Sequence, residues 1–348
     1  MYDSNSQALS DKLKAASSTV FTQETIDSIL SLVSTSTDTK VVVDTVDGAN
    51  NGTVSAAAGT EVVFVNTSES SVTKLTVSAN TQAVFFQGAG GVDATITTPP
   101  PNAAGNQSAA TVDPDAIQRV VVGTAGADTI RIADNKNTQV IAGDKDVIMA
   151  GNGHTVVVAA QGSSKVIGGA ETIVQAKGDD DDFTIVVDGA HAKISNAATK
   201  VAVDLVNVSY VQLDNKQALI FADNLKQATV ANLYQAVLGR TADFSGLDYW
   251  FHQADLGVSV KTIAQGFMSS SEYKLGALNN TQFVDALYHG MMGRNADAAG
   301  AQYWVDALAH GVSRADVAIA FAEAAASSSG EVSVVGSVTI VPDIVTHQ

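Results

Sequence analysis

Two stretches of this chain repeat each other at a single constant offset. Tyr234 matches Tyr288, Gly239 matches Gly293, Arg240 matches Arg294, Asp243 matches Asp297, Gly246 matches Gly300 and Trp250 matches Trp304. The offset persists at Gly257/Gly311, Ser259/Ser313 and Phe267/Phe321. Self-similarity at one period means a structural unit built twice and stacked. Both tryptophans of the chain lie in it.

Apolar spacing within each copy predicts three helices: 229–238, 245–256 and 259–273, then 281–292, 298–309 and 313–326. Gly239 and Gly293 end the first helices, and Gly257 and Gly311 the second. Asp243 and Asp297 cap the second helices, and Ser259 and Ser313 the third. Ser313-Arg314-Ala315-Asp316 has the form of a capping box. The pairs Tyr249-Trp250 and Tyr303-Trp304 have two readings. They anchor the helical core, with Arg240 and Arg294 bracing the Asp caps, or they offer aromatic faces to a sugar.

Outside the repeat the residue palette changes. Val, Thr, Ala, Ser, Gly and Asn dominate, charged residues are 16% and aromatics 6% of the chain, a composition suited to short strands and many turns. Residues 7–33 carry apolar positions at helical spacing, including Leu9, Leu13, Ile26, Ile29 and Val33, with Thr22 as a candidate N-cap. They predict two short amphipathic helices that cap the following β structure or dock on a neighbouring chain. Val-rich runs at 40–44, 59–65, 74–77 and 82–86 then alternate with turn residues. Residues 98–116 hold four of the five prolines and predict a long loop.

Gly123-Thr124-Ala125-Gly126-Ala127-Asp128-Thr129-Ile130-Arg131 fits the nonapeptide G-x-x-G-x-D-x-U-x, in which U faces a coil interior. Asp146 and Ile148 follow Asp128 and Ile130 at a distance of two nonapeptides. Later turns keep an apolar rung at Val156, Val166, Ile173 and Ile185 but lose the ligands. The fold expected is therefore α+β and multidomain. It comprises N-terminal helices (1–37), a β-rich segment (38–116), a β-helix or β-roll-like part (117–222), the helical tandem repeat (223–327) and a β tail (328–348). That tail, residues 331–342 above all, would leave an edge open to another chain.

Asp128, Asp144, Asp146, Asp179 and Asp181 supply carboxylates for one or two calcium sites. The alternative is that Asp128 closes an Asx-turn and the run 179–182 is a solvated corner. The run lacks the Gly and the terminal Glu of an EF-hand. No His-Glu-x-x-His, Gly-x-Ser-x-Gly or phosphate loop occurs, so no enzyme is expected.

The net charge is −17, with acid exceeding base in each part of the chain, and clustered Lys and Arg for phosphates are missing; nucleic acid is not an expected partner. There is no cysteine, so disulfides and thiolate sites are excluded. No apolar run approaches a membrane span. The N-terminus has neither a basic region nor an apolar stretch, so export is expected to use another address.

The run Leu238-Gly239-Arg240-Thr241-Ala242-Asp243-Phe244-Ser245-Gly246-Leu247-Asp248-Tyr249-Trp250, followed by Phe267 to Tyr273, resembles a bacterial helical repeat family catalogued as a domain of unknown function, the 4214 type. More distantly, its Gly-Arg-x-x-Asp core resembles the linker proteins of light-harvesting antennae. The second copy departs at its end, where Ala-Ala-Ala-Ser-Ser-Ser replaces the Ser-x-Glu-Tyr element. Residues 123–131 resemble the repeats-in-toxin nonapeptide. Together these resemblances imply a calcium-assisted bacterial protein exported by type I secretion, with residues 331–348 part of an uncleaved signal. Surface-layer proteins and biofilm adhesins combine such parts. The expectation is a non-enzymatic extracellular protein that self-assembles into a homo-oligomer or lattice, or else an adhesin that binds cell-surface polysaccharide.

Overall fold

The computed structural model describes residues 2–16, 23–33, 40–50, 52–99, 116–169, 171–188, 191–327, 333–335 and 338–342. Thr22 and residues 100–115 of the proline-rich stretch lie outside them. The chain divides into two compact units, 1–177 with 193–208, and 178–192 with 209–348.

The first unit is a two-sheet β-solenoid. Strands Lys40–Asp47, Val62–Asn66, Ala83–Gln87, Arg119–Val122, Thr138–Ala142, Thr155–Ala159 and Thr172–Ala176 pair in parallel to form one sheet. Tyr2–Asn5 adds to its edge, antiparallel to Lys40–Asp47. Strands Gly52–Ser55, Thr73–Ser78, Val92–Thr97, Thr129–Ile132, Asp146–Met149, Ser163–Ile167 and Val201–Val206 form the other, also parallel. The chain alternates between the sheets, so two nonapeptides make one coil, from Thr129 to Val147 and again to Lys165.

Side chains of matching register stack into columns. Val63, Val84, Val121, Val140, Val157 and Val174 form an unbroken valine column on one sheet, every member fully buried. Leu75, Ala94, Ile130, Ile148, Val166 and Leu205 form its counterpart on the other. β-Branched residues suit such stacks because they keep their rotamers on a pleated surface. The rungs expected at Ile130, Ile148 and Val166 are in place. Those expected at Val156 and Ile173 are not: both are out of register with the inner column, which takes Val157 and Val174 instead. In this sheet the coils from Thr138 to Thr155 and on to Thr172 each fall a single residue short of two nonapeptides. A shift of that size moves a strand's apolar set to its other face. Ile185, also expected as a rung, is only half-buried in Phe183–Asp188.

Strand pairing runs on through the proline-rich insertion: Val120 sits beside Ala83 and Thr129 beside Asp93. The boundary drawn at residue 116 therefore marks an insertion within one solenoid, with the strand order kept on both sides. Helices α1 (Ser6–Ala16) and α2 (Gln23–Val33) cover the outer face of the first sheet. Leu9, Leu13, Ile26, Ile29 and Val33 pack on Val41, Val43, Val62, Phe64, Phe85 and Val120. The Phe64 and Phe85 rings lie 5.1 Å apart, and the Lys12 ammonium stands 4.0 Å from the Phe64 centroid.

The second unit holds a small sheet and the helical repeat. Tyr210–Gln212 pairs antiparallel with Ala218–Ala222, which pairs in parallel with Val338–Pro342. Ser333–Val335 pairs antiparallel with Val338–Pro342, so the described residues of the tail are strands. The helices are α3 (Leu225–Leu233), prolonged by a π turn at Tyr234–Leu238, α4 (Phe244–Asp255), α5 (Val260–Ser269), α6 (Asn280–Met292), α7 (Ala298–Ala309) and α8 (Arg314–Ala326). Gly239 and Gly293 sit at φ 67° and 59°, the left-handed conformation that closes a helix at least cost with glycine.

Helix α3 is buried from Gln227 through Leu233 and packs along α8 of the second copy, with Asn232 Nδ2 donating to Ala322 O at 3.1 Å. The equivalent α6 turns Thr281, Gln282, Asp285 and His289 to solvent. One copy's first helix is thus central and the other's is an outer face, as befits the last unit of a stack. No helix among the described residues is long and apolar enough to cross a membrane.

Candidate functional site

Asp128 and Asp146 occupy equivalent places one coil apart, at the start of neighbouring strands in the second sheet. Both are 1% exposed. The Asp128 carboxylate accepts from Val92 N (2.8 Å), Thr124 N (2.6 Å) and Thr124 Oγ1 (2.7 Å). The Asp146 carboxylate accepts from Asp128 N (2.9 Å) and Gly143 N (2.6 Å). Each aspartate therefore binds the main chain of the coil before it and closes its own turn, forming a ladder of carboxylates. Burial pushes the Asp128 carboxyl above its usual range. Burial first, and then the neighbouring Asp128 charge, push Asp146 up to about 7.

The oxygens of this pair are aimed at main-chain N–H groups. Asp144 is more exposed and accepts from Ser163 N at 2.9 Å in the next coil, which holds its carboxyl below the ordinary value. In the second unit, Asp180–Asp182 form a 3₁₀ turn with Asp179 and Asp182 in a capping box. Asn215 Nδ2 donates to Asp179 Oδ1 at 2.6 Å, and Gln217 Nε2 to Asp180 Oδ1 at 2.9 Å. Asp214 closes the same corner by accepting from Gly178 N at 2.9 Å. Asp181, exposed, projects from this turn. The structure thus brings Asp128 together with Asp146, and sets Asp179 against the turn that holds Asp214 and Asn215. Among the described residues no group of three or more His, Asp or Glu side chains stands where a metal ion could be held.

A polar cluster without a sequence motif lies at another corner of the coil. Arg119 is fully buried. Its Nη1 and Nη2 donate to the two Asp134 oxygens at 2.9 and 2.7 Å, and Nη2 also donates to Thr138 Oγ1 at 2.9 Å. Lys136 stands beside this pair, its Nζ donating to Thr81 O at 2.9 Å and Asn80 Oδ1 at 3.3 Å. Burial and the Arg119 charge bring the Lys136 ammonium down to about 8. One signal points to it in the sequence: an arginine opening the Arg119-Val-Val-Val strand at the register later filled by Thr138, Thr155 and Thr172.

In the repeat, the paired aromatics divide their roles. Trp250 contacts Phe267 (5.3 Å between centroids) and Trp304 contacts Phe321 (5.5 Å), so each indole packs on the third helix of its copy. Tyr249 and Tyr303 meet the tryptophans edge-on and are 54% and 64% exposed. Asp243 and Asp297 cap α4 and α7, accepting from Gly246 N and Gly300 N at 2.8 Å. A Cβ at either glycine would collide with the hydroxyl of Tyr234 or Tyr288, which is why the Tyr and Gly recur together.

Arg240 donates to Asp243 Oδ2 at 2.8 Å and through Nε to Glu272 Oε2 at 2.6 Å, over the Tyr234 ring. Arg294 keeps the ring contact with Tyr288, but its nearest carboxylate is Asp297 at 3.9 Å, and the position matching Glu272 is Ala326. Arg240→Ala should therefore cost about 1 kcal/mol of helical-unit stability and Arg294→Ala at most about half of that, because a three-member network outweighs a lone exposed pair. Urea titrations followed by Trp250 and Trp304 fluorescence read both; equal losses would contradict the difference.

The family model described as Domain of unknown function (DUF4214) matches residues 220–277 and again 273–328. No curated protein and no solved structure matches the chain. The C-terminal helical part is thus DUF4214-like, with one copy of the family's pattern in each triplet of helices.

Proposed function

We propose that this protein is a non-enzymatic structural component of the cell exterior that assembles with copies of itself into a layer or filament. The supporting observation is the strand Phe183–Asp188, a Phe-Thr-Ile-Val-Val-Asp run in which no residue is buried and Val186 is 59% exposed. An apolar strand left this open is a template for pairing with another chain unless it is covered. The β-solenoid and the helical repeat both commit their large side chains to columns and caps, an architecture that fits a structural or adhesive part. Calcium in this reading acts as a diffuse counter-ion, lowering repulsion between chains of net charge −17. Export by type I secretion completes the reading and rests on the repeats-in-toxin resemblance alone.

The test is sedimentation of the purified full chain with calcium and with chelator. Large particles should form with calcium and dissolve without it, and Val186→Lys should abolish them while leaving the melting temperature unchanged. A chain that sediments as a monomer under every divalent ion would sink the proposal. A second reading, adhesion to a polysaccharide, is favoured by Tyr249 and Tyr303, exposed at matching positions of the two copies. In that case Tyr249→Ala with Tyr303→Ala would remove retention on a polysaccharide column and spare assembly.

A further inference from the structure

Asn80 and Lys136 lie in two corners of the solenoid, on the same side of it. Asn80 sits in the turn between Thr73–Ser78 and Ala83–Gln87, and Lys136 in the turn between Thr129–Ile132 and Thr138–Ala142. The coil between them has no short turn at this corner, since Val92–Thr97 is followed by Arg119–Val122 only after residues 98–118. Lys136 reaches across the interrupted corner and places Nζ 3.3 Å from Asn80 Oδ1, although the two are far apart in sequence. Its second bond, to Thr81 O at 2.9 Å, fixes the amine against the same turn.

An amine hydrogen-bonded to a carboxamide oxygen stands one bond away from the carbon it would attack, and a small side-chain shift brings the pair into attacking geometry. A lysine becomes nucleophilic when it is desolvated or stands next to another cation, and Lys136 meets both conditions through its burial and Arg119. Arg119 cannot lose its own charge, and its bidentate bonds to Asp134 hold it in place. The chain has no cysteine, so an amide is the covalent staple its own side chains can form here.

We propose that Lys136 and Asn80 join in an intramolecular isopeptide bond that staples the solenoid across its insertion. The neutral Nζ attacks Asn80 Cγ, a C–N bond forms, the Cγ–Nδ2 bond breaks and ammonia leaves. The proton shed by Nζ passes through solvent at this corner to the departing nitrogen. No oxidant, reductant or second substrate enters the step.

The experiment is mass spectrometry of the folded, purified full chain. The bond lowers the intact mass by about 17 Da, one ammonia. It also blocks trypsin at Lys136, so peptide 75–119 should be found joined to peptide 132–145. Lys136→Arg and Asn80→Ala should each restore the full mass and separate the peptides. A wild-type chain at full mass overturns the proposal, and that reading needs no variant to fold. So does a deficit of one ammonia without the joined peptide, since ammonia loss at Asn51-Gly52 would give the same mass, and so does a deficit that survives Lys136→Arg.

Discussion

Asp134→Ala should destabilise the solenoid by about 3–5 kcal/mol, among the largest losses available to a single substitution in that unit. Arg119 has no exposed surface, and both of its terminal nitrogens are committed to Asp134. Without that carboxylate a guanidinium that cannot deprotonate stays buried, with Thr138 Oγ1 as its remaining side-chain acceptor. Among the described residues its Nε has no partner even with Asp134 in place. Removing both charges is a different matter: Arg119→Met with Asp134→Leu should lie within about 1–2 kcal/mol of the parent, because a buried ion pair replaced by apolar groups of similar volume is close to neutral. Urea titrations followed by far-ultraviolet circular dichroism read the solenoid, which contains neither tryptophan. If Asp134→Ala cost no more than the double substitution, the pair would carry no such charge penalty.

How far the sequence discloses this architecture depends on how constant its period is. The helical repeat is legible because identity at one unvarying offset fixes glycines, caps and aromatics together, and the observed helices differ from expectation mainly at their ends. Helix α5 stops at Ser269 because residues 270–273 turn away to bring Glu272 onto Arg240. Ser313-Arg-Ala-Asp316 caps α8 through the serine, but the Asp316 carboxylate accepts from the Ser313 hydroxyl and joins Lys261 instead of returning to the main chain. The solenoid is less legible because its period drifts. Coils equal to two nonapeptides stand beside coils a residue shorter and a residue longer, so a nonapeptide frame sends Val156 and Ile173 to the wrong face. The aspartates at 128 and 146 are visible in the sequence as a pair, but their partners are not. A carboxylate that binds metal and one that binds the preceding coil's N–H carry the same spacing, so the spacing alone does not disclose Val92 N and Asp128 N as partners. Arg119 escapes for a related reason: its acid, Asp134, lies onward in a turn, at no helical or strand period.

The solenoid should become more stable as pH falls from about 8 to about 5, the reverse of what most acidic proteins do in acid. Asp146 has its carboxyl raised to about 7 in the folded chain, by burial first and by Asp128 second. Unfolded, it titrates at the ordinary value near 3.8. Between those values the folded state holds a proton that the unfolded state has released, so unfolding stability has a negative slope on pH, up to about 1.4 kcal/mol per unit. The stabilisation is fully present below the unfolded value and is lost as pH rises through the folded one. Asp128 and Asp146 share this behaviour as a coupled pair. An opposing set acts only at lower pH. Asp44 and Asp144 have carboxyls held below the usual range by main-chain N–H groups, from Ala57 and Ser163 respectively, and their contribution disappears as pH falls below about 4. The maximum should therefore sit near pH 5. Asp146→Asn should flatten the slope between 5 and 7. It should also lower stability overall, because its amide keeps one acceptor for Asp128 N but turns a donor toward Gly143 N. Urea midpoints of parent and variant from pH 4 to 8 decide the matter, and a parent whose stability is level or rising across 5 to 7 would show that the ladder is fully ionised.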